Sequence, residues 1–286
     1  MMVKGRVSIL TPSYNAEKYL EVYFMHLLEQ TYKNFELIFV DDGSIDETKK
    51  IVEKYEKCFE AENIGLIYKY QDNKGQASAI NLGLQYVTGE YLYWMDADDY
   101  LENNALEKMV NFLEKNKEYN IVKGRVRYIY EVNNTSKVFH GHGEYDVENV
   151  MFEKYLFDKD IDCYPGLIMT RTDFFDERVE NRKIYESRGG QNWQLILPIT
   201  YKQKCKEIDS IIYNYMVREN SHSNSIKNSF KARYDRYNEH RKILVNILKR
   251  MKCMRLSEKI KYITMIKCKY FIIELKLIIK KLFMRK

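Results

Sequence analysis

Three carboxylates crowd one short stretch of the chain, Asp96-Ala97-Asp98-Asp99, directly after the apolar run Tyr91-Leu92-Tyr93-Trp94-Met95. An apolar run of that length reads as a buried strand, so the acids emerge together at its end. Like charges this close repel one another unless a cation or hydrogen-bond donors neutralise them. Mg2+ or Mn2+ favours oxygen ligands, often takes only one or two carboxylates, and completes its shell with phosphate oxygens. The chemistry suggested is a metal-bridged diphosphate, and a solvated acidic turn that caps the next helix is the other reading. Asp41-Asp42-Gly43-Ser44 has the same form, following the strand-like Leu37-Ile38-Phe39-Val40. Asp41, nearest the strand end, is the functional candidate there, while Asp46 and Thr48 suit a helix cap. Asn73-Lys74-Gly75-Gln76 leads into a helical segment containing Asn81, which sets a lysine and a glycine turn at a helix N-terminus where an anion is stabilised.

The elements that must position these groups follow from periodicity. Strand-like runs at Val7–Thr11, Glu36–Asp41, Ile64–Tyr70 and Tyr91–Met95 alternate with helical patterns at Glu17–Leu28, Thr48–Phe59 and Ala77–Val87. This alternation predicts βαβ units and a parallel sheet covered on both faces. Ligands of such sheets bind outside the carboxyl ends of the strands, where Thr11–Asn15, Asp41–Ser44 and Asp96–Asp99 fall. A further helix is expected over Asn103–Lys115, followed by β-leaning segments at Ile121–Tyr130 and Lys137–Phe139 without a parallel-sheet rhythm. Residues 228–286 contain neither Pro nor Gly and read as helix with few breaks.

Composition excludes several classes. With 286 residues, 45% of them apolar and 14% aromatic, the chain can bury a sizeable core and is neither disordered nor collagen-like. Five scattered cysteines without a CxxC pair argue against a zinc ribbon or a disulfide framework and suit free thiols in a reducing compartment. Val7–Leu10 is too short for the apolar region of a signal peptide, and charged residues interrupt every C-terminal candidate for a spanning helix, which needs about 20 apolar residues. No export and no membrane crossing are expected.

Four motifs in order carry a resemblance. Val7-Ser-Ile-Leu-Thr-Pro-Ser-Tyr-Asn-Ala16, Phe39-Val-Asp-Asp-Gly-Ser-Ile-Asp-Glu-Thr48, Asn73-Lys-Gly-Gln-Ala-Ser-Ala-Ile-Asn-Leu-Gly83 and Thr88-Gly-Glu-Tyr-Leu-Tyr-Trp-Met-Asp-Ala-Asp-Asp99 together resemble the family 2 glycosyltransferases of GT-A fold. Each motif alone is weak, but their combination over residues 5–100 is specific. The resemblance implies an α/β fold, a GT-A Rossmann-like mostly parallel sheet flanked by helices, with a helical C-terminal region. It implies a nucleotide-sugar donor, with UDP as the nucleotide, and Mn2+ or Mg2+ as cofactor. Residue by residue it assigns Thr11, Pro12 and Tyr14 to the nucleotide pocket, Asp41 to the base, Lys74 to the nucleotide's neighbourhood, Asp96 to the ribose and Asp98 to the metal. Ile80 stands where many members carry arginine, so that donor contact is not carried over.

The implied mechanism is a displacement with inversion, in which a carboxylate takes the acceptor hydroxyl's proton. Family members usually place that base in a Glu-Asp pair, and here Gln191-Asn192 stands in its place. An amide is no base at neutral pH. Glu186 is the nearest carboxylate and the candidate base, Asn192 and Trp193 are candidates for acceptor binding, and His222 in Ser221-His222-Ser223 is a candidate second metal ligand. A nucleotidyltransferase would also gather carboxylates around Mg2+ but lacks the four-motif order. A degenerate glycosyltransferase that binds sugar or acts as a scaffold is the reading motivated by Gln191-Asn192.

The formal net charge of +6 conceals two surfaces, because residues 241–286 hold 15 Lys and Arg against 2 acids while the remainder is acidic overall. On a helix, Phe271, Ile272, Leu275, Ile278, Ile279 and Leu282 share one apolar face bordered by Lys269, Lys276 and Lys280. Such a helix suits the interface of an anionic membrane, and packing on the body or on another copy of the chain is the alternative. A nucleic-acid partner is not expected, since the tail carries no recognised motif. The sequence therefore divides into a donor-binding half at 1–102, an acceptor-binding half at 103–227 and a basic helical region at 228–286. The expected partners are the nucleotide-sugar, a glycan or lipid-linked sugar acceptor, and a membrane surface. The expected location is cytoplasmic, peripheral on the inner face of the cell membrane, in surface polysaccharide or lipopolysaccharide assembly.

Overall fold

The computed structural model describes residues 2–131, 135–138, 146–187, 189–218 and 230–283. β1 (Val3–Ser13), α1 (Leu20–Leu28), β2 (Phe35–Asp41), α2 (Thr48–Ala61), β3 (Gly65–Tyr70), α3 (Gln76–Leu84) and β4 (Gly89–Trp94) alternate as the pattern predicts. β3, β2, β1 and β4 lie side by side in that order, and all their pairings are parallel. Strands covered on both faces have no solvent side, which is why every residue of β2 is buried.

Beyond β4 the same sheet continues. It takes in β5 (Tyr100–Leu101), β6 (Ile121–Tyr130), β7 (Thr135–Val138), β8 (Ile168–Arg171) and β9 (Lys206–Val217). β8 runs antiparallel between β4 and β6, β6 pairs parallel with β9, and β5 and β7 add antiparallel pairings on β9 and β6. Among the described residues all strands belong to one sheet. Helices α4 (Ala105–Lys115), α5 (Val150–Phe157), α6 (Thr172–Arg178) and α7 (Gln191–Thr200) accompany this half. The sequence boundary at residue 102 thus runs through a continuous sheet, and the donor and acceptor halves form one compact unit, Met1–Val217.

One buried charge ties the start of the sheet together. Glu36, on β2, is almost wholly buried and accepts hydrogen bonds from Ser8 Oγ at 2.5 Å, Thr88 N at 2.9 Å and Thr88 Oγ1 at 2.8 Å, with Arg6 Nη1 at 3.5 Å. The carboxylate joins β2 to β1 and to the turn that launches β4. A buried carboxylate is tolerated only when donors surround it, and removing it strands those donors. Glu36→Ala should therefore lower unfolding free energy by about 3 kcal/mol in urea titration; a loss under about 0.5 kcal/mol, the range of an ordinary surface substitution, would remove the clamp.

The second unit, Arg218–Lys286, is described by α8 (Phe230–Arg250) and α9 (Leu256–Phe283). They form an antiparallel hairpin: Tyr237 and Tyr270 rings lie 6.3 Å apart, Arg241 pairs with Glu274 at 3.1 Å, and Lys281 Nζ sits 4.2 Å over the Phe230 ring. The break at residues 251–255 has no Pro or Gly to announce it in the sequence.

Candidate active site

The carboxyl ends of β1, β2 and β4 meet at one edge of the parallel half, and their loops hold one another. Asn15, in left-handed backbone conformation, receives a bond at Oδ1 from Ile45 N and gives its own N–H to Ser44 Oγ. Ala16 N and Glu17 N reach Thr48 Oγ1 and Asp46 Oδ2. Asp46 is thus a structural strut between loops, in keeping with a helix cap whose second oxygen also accepts from Thr48 N at 3.1 Å.

Asp41 is buried with both oxygens engaged, Oδ1 by Ser44 N and Oδ2 by Tyr68 Oη, each at 2.8 Å. A carboxylate has further lone pairs, so it keeps capacity for a ligand N–H. Asp42, which sequence reasoning passed over, clamps the next loop: Oδ1 accepts from Gln71 Nε2 and Lys74 N, and Oδ2 from Gly75 N. Two N–H groups beside the N-terminus of α3 are therefore filled by the protein's own acid and not left for an outside anion. Gly43 between them has φ +80°, and a Cβ there would sit 2.6 Å from Asn73 N, so only glycine lets the two loops touch. The Lys74 side chain is exposed with no partner among the described residues.

Of the β1 candidates, Thr11 is buried and its Oγ1 lies 2.5 Å from Tyr23 Oη. Its hydroxyl is committed to the core, Pro12 is buried beside it, and Tyr14 is half exposed at the loop.

Asp96, Asp98 and Asp99 each offer a carboxylate oxygen, and these oxygens lie within 4.8 Å of one another. Gln76 Nε2, from the first residue of α3, donates to Asp96 at 3.0 Å. Burial, together with the Asp98 charge, pushes Asp96 up to about 7. Asp99 is buried deeper, and burial with its two acidic neighbours drives it well above the carboxylate range despite bonds from Tyr213 Oη at 2.5 Å and Met216 N at 2.8 Å. An all-oxygen set of this size fits a hard divalent cation. The chemistry of the donor set therefore supports Mn2+ or Mg2+ at Asp98, with Asp96 and Asp99 beside it.

The side that the sequence assigns to the acceptor is built on the loop before β8. Gly166, at φ +79°, donates to Trp94 O, accepts from Tyr93 Oη and lies under the Tyr213 ring, where any Cβ would collide. That loop thereby runs alongside the acidic cluster. Asp162, also missed from sequence, lies in it and accepts from Tyr128 Oη at 2.6 Å; burial raises its pKa. Tyr128, Tyr164 and Tyr215 form a ring cluster with centroids 4.2–5.9 Å apart. Tyr215 feels the charges of Asp96, Asp98 and Asp99.

Gly190, in left-handed conformation, opens α7, and Asn192 in its first turn donates to Cys163 O at 3.2 Å. Asn192 is thus beside the loop carrying Asp162, and Trp193 follows it, partly buried. Gln194 bonds both Tyr185 N and Tyr185 O, and Asn81 of α3 bonds both Ile184 N and Ile184 O. These two amides hold the strand-like segment that carries Glu186, whose own carboxylate is exposed and stands 4.0 Å from Lys183 Nζ. His222 lies outside the described residues.

A parallel α/β half with acids at the strand ends and an antiparallel extension is the architecture of nucleotide-sugar-dependent GT-A proteins. The profile of glycosyl transferase family 2 matches residues 8–179, and the chain belongs to that family. A glycosyltransferase of Haemophilus influenzae is 37% identical over 110 residues, covering 38% of this chain and 43% of its own. TuaG of Bacillus subtilis, a proposed teichuronic acid biosynthesis glycosyltransferase, is 39% identical over 110 residues, 38% of this chain and 42% of its own. The chain thus spans less than half the length of these relatives. Among solved structures, Staphylococcus aureus TarS residues 1–349 with UDP-GlcNAc aligns at TM-score 0.68 and 20% identity, over 90% of this chain and 70% of that one. The mannosyltransferase PcManGT of Pyrobaculum calidifontis, with GDP-Man and Mn2+, aligns at TM-score 0.62 and 17% identity, over 92% and 69%. Both likenesses bear on the fold.

If the acidic cluster is a cation seat, Asp98→Asn should have two opposite effects in thermal melts. Without metal it should raise Tm by a few degrees, since a buried repulsion is relieved. In wild type, Mn2+ at about 100 times its Kd should add about 5–10 °C, and in the variant that gain should vanish. A variant that melts lower without metal and still gains with Mn2+ would contradict the assignment.

Proposed function

We propose that this chain is a metal-dependent inverting glycosyltransferase that transfers a sugar from a UDP-sugar to a growing glycan or lipid-linked acceptor in surface polysaccharide assembly. The observation that carries the reading is the convergence of Asp96, Asp98 and Asp99 at the carboxyl end of β4, beside loops anchored by Asp41 and Asp42. TarS was solved with UDP-GlcNAc and PcManGT with GDP-Man and Mn2+, which supports a nucleotide-diphosphate donor and a divalent cation here. The name of TuaG supports the polysaccharide setting.

When bound, the cation would offset the negative charge growing on the departing nucleoside diphosphate. Asp98 holds it, Asp96 faces the ribose with its orientation fixed by Gln76, and Asp99 is kept in place by Tyr213 and the β9 backbone. Asp41, held by Tyr68 and Ser44, presents its remaining lone pairs to the base N–H, and Tyr14 covers the nucleotide. Lys74 extends toward the phosphates. Across the site, the Tyr128, Tyr164 and Tyr215 rings and Trp193 supply flat faces on which an acceptor sugar stacks.

The base must be a carboxylate within reach of the acceptor hydroxyl. The candidates are Glu186, on the segment fastened by Asn81 and Gln194, and Asp162, half-buried and adjacent by backbone to the carbonyl that Asn192 bonds. Burial favours a proton on Asp162, which suits a group that must receive one. The acidic body works in the cytoplasm, with the basic hairpin holding the enzyme peripherally on the inner face of the membrane; no described helix is long and apolar enough to cross it.

Incubation with Mn2+ and a panel of nucleotide-sugars should release nucleoside diphosphate, fastest from a UDP-sugar. Asp98→Ala should lower that rate about 10^3-fold, roughly 4 kcal/mol in the barrier. Pyrophosphate release would point instead to nucleotidyl transfer, and nucleotide binding without turnover to a sugar-binding scaffold. Of the two base variants, one should cost about 10^2- to 10^4-fold in kcat with donor binding intact. Near-normal turnover in both Glu186→Gln and Asp162→Asn would remove both from the mechanism.

A further inference from the structure

The α8–α9 hairpin carries two apolar stripes on α9, and only one of them is buried. Tyr262, Ile266, Tyr270 and Leu277 are buried, whereas Phe271, Ile272, Leu275, Ile278 and Ile279 are each 41–58% exposed. The exposed set recurs at i, i+1, i+4, i+7 and i+8, so it forms one continuous stripe along the later half of a 28-residue helix. A contiguous apolar stripe in water is unfavourable and marks a contact surface.

At the upstream end of this stripe a cavity of about 430 Å³ opens between the two helices, lined by Arg241, Lys242, Val245, Lys267 and Phe271. Three cations converge there. Glu274 neutralises Arg241 at 3.1 Å, but among the described residues Lys242 and Lys267 have no acidic partner. Cations gathered around one cavity repel unless an anion sits between them. Phe271 belongs both to the cavity wall and to the apolar stripe, so an anion held there would lie beside an apolar surface. That combination, a compact anion continuous with an apolar region, is the chemistry of a phospholipid at a bilayer surface.

We propose that this cavity is a phosphate seat for an anionic membrane lipid, with the Phe271 stripe lying in the acyl boundary of the same leaflet. The proposal rests on the peripheral-membrane reading above and adds a defined site to it. Arg241, Lys242 and Lys267 hold the lipid phosphate, and Val245 and Phe271 pack on its glycerol and upper acyl portion. The surplus of basic residues over 241–286 brings the hairpin to an anionic leaflet, and the seat fixes its depth and rotation.

The test is sedimentation of the full chain with vesicles of phosphatidylcholine alone and of phosphatidylcholine with phosphatidylglycerol. Wild type should bind the mixed vesicles at least about tenfold more tightly than the neutral ones. The double variant Lys242→Ala/Lys267→Ala should lose about tenfold or more of that binding, and Lys276→Ala/Lys280→Ala, with the same charge change on the same hairpin but outside the cavity, should lose markedly less. Circular dichroism establishes that both variants keep their helices. Equal losses in the two variants would overturn the seat while leaving general membrane attraction intact. Failure of wild type to bind either vesicle would overturn the membrane reading itself. Inorganic phosphate binding that depends on Lys242 and Lys267 without vesicle binding would make the occupant a soluble anion and overturn the lipid assignment.

Discussion

Repulsion among Asp96, Asp98 and Asp99 is the constraint around which the rest of the first unit is arranged. Three carboxylates with oxygens within 4.8 Å of one another are stable only if their surroundings supply positive charge or donors. Neutral donors from Gln76, Tyr213 and the Met216 N–H aim Asp96 and Asp99. These donors come from two distant elements, α3 and two positions along β9. The sheet must therefore be continuous from the donor strands through β8 and β6 to β9 before the cluster can exist. Gly166 serves the same end, since only a residue without a side chain lets Tyr213 lie over the β8 loop and reach Asp99.

The loops of the donor side obey a related economy. Asp42 uses three hydrogen bonds to bind the turn before α3, and Asp46 joins the loop after β1 to the start of α2. Acids in this region thus divide into those spent on the scaffold and those left with capacity for a ligand. The outer lone pairs of Asp41 and Asp96 belong to the second group. The other half of the sheet is arranged by amides instead, with Asn81, Gln194 and Asn192 each bonding backbone groups.

Much of the donor side was legible in the sequence. Buried parallel strands need unbroken apolar runs, so β1, β2 and β4 and the acids at their ends stood out by composition alone. The acceptor side was less legible for a physical reason: β6 pairs with β9 across a long connection while β8 inserts between β4 and β6, and no local period records such pairing. Asp162 was passed over because its significance comes from Tyr128 and from the Asn192 contact, both distant in sequence. Asp42 was overlooked beside Asp41, though a second acid followed by glycine at a strand end is itself a signal of loop clamping. The exposed stripe on α9 was visible as a helical period; the second, buried stripe and the cavity at Phe271 required the hairpin.

If the acidic cluster joins a divalent cation to a nucleoside diphosphate, calorimetric titration of UDP into the protein should record the coupling. Mn2+ should tighten UDP binding by at least about tenfold, a coupling of about 1.4 kcal/mol, and Asp98→Ala should abolish this coupling while leaving the metal-free affinity nearly unchanged. UDP binding of equal strength with and without Mn2+ in the wild-type protein would contradict it.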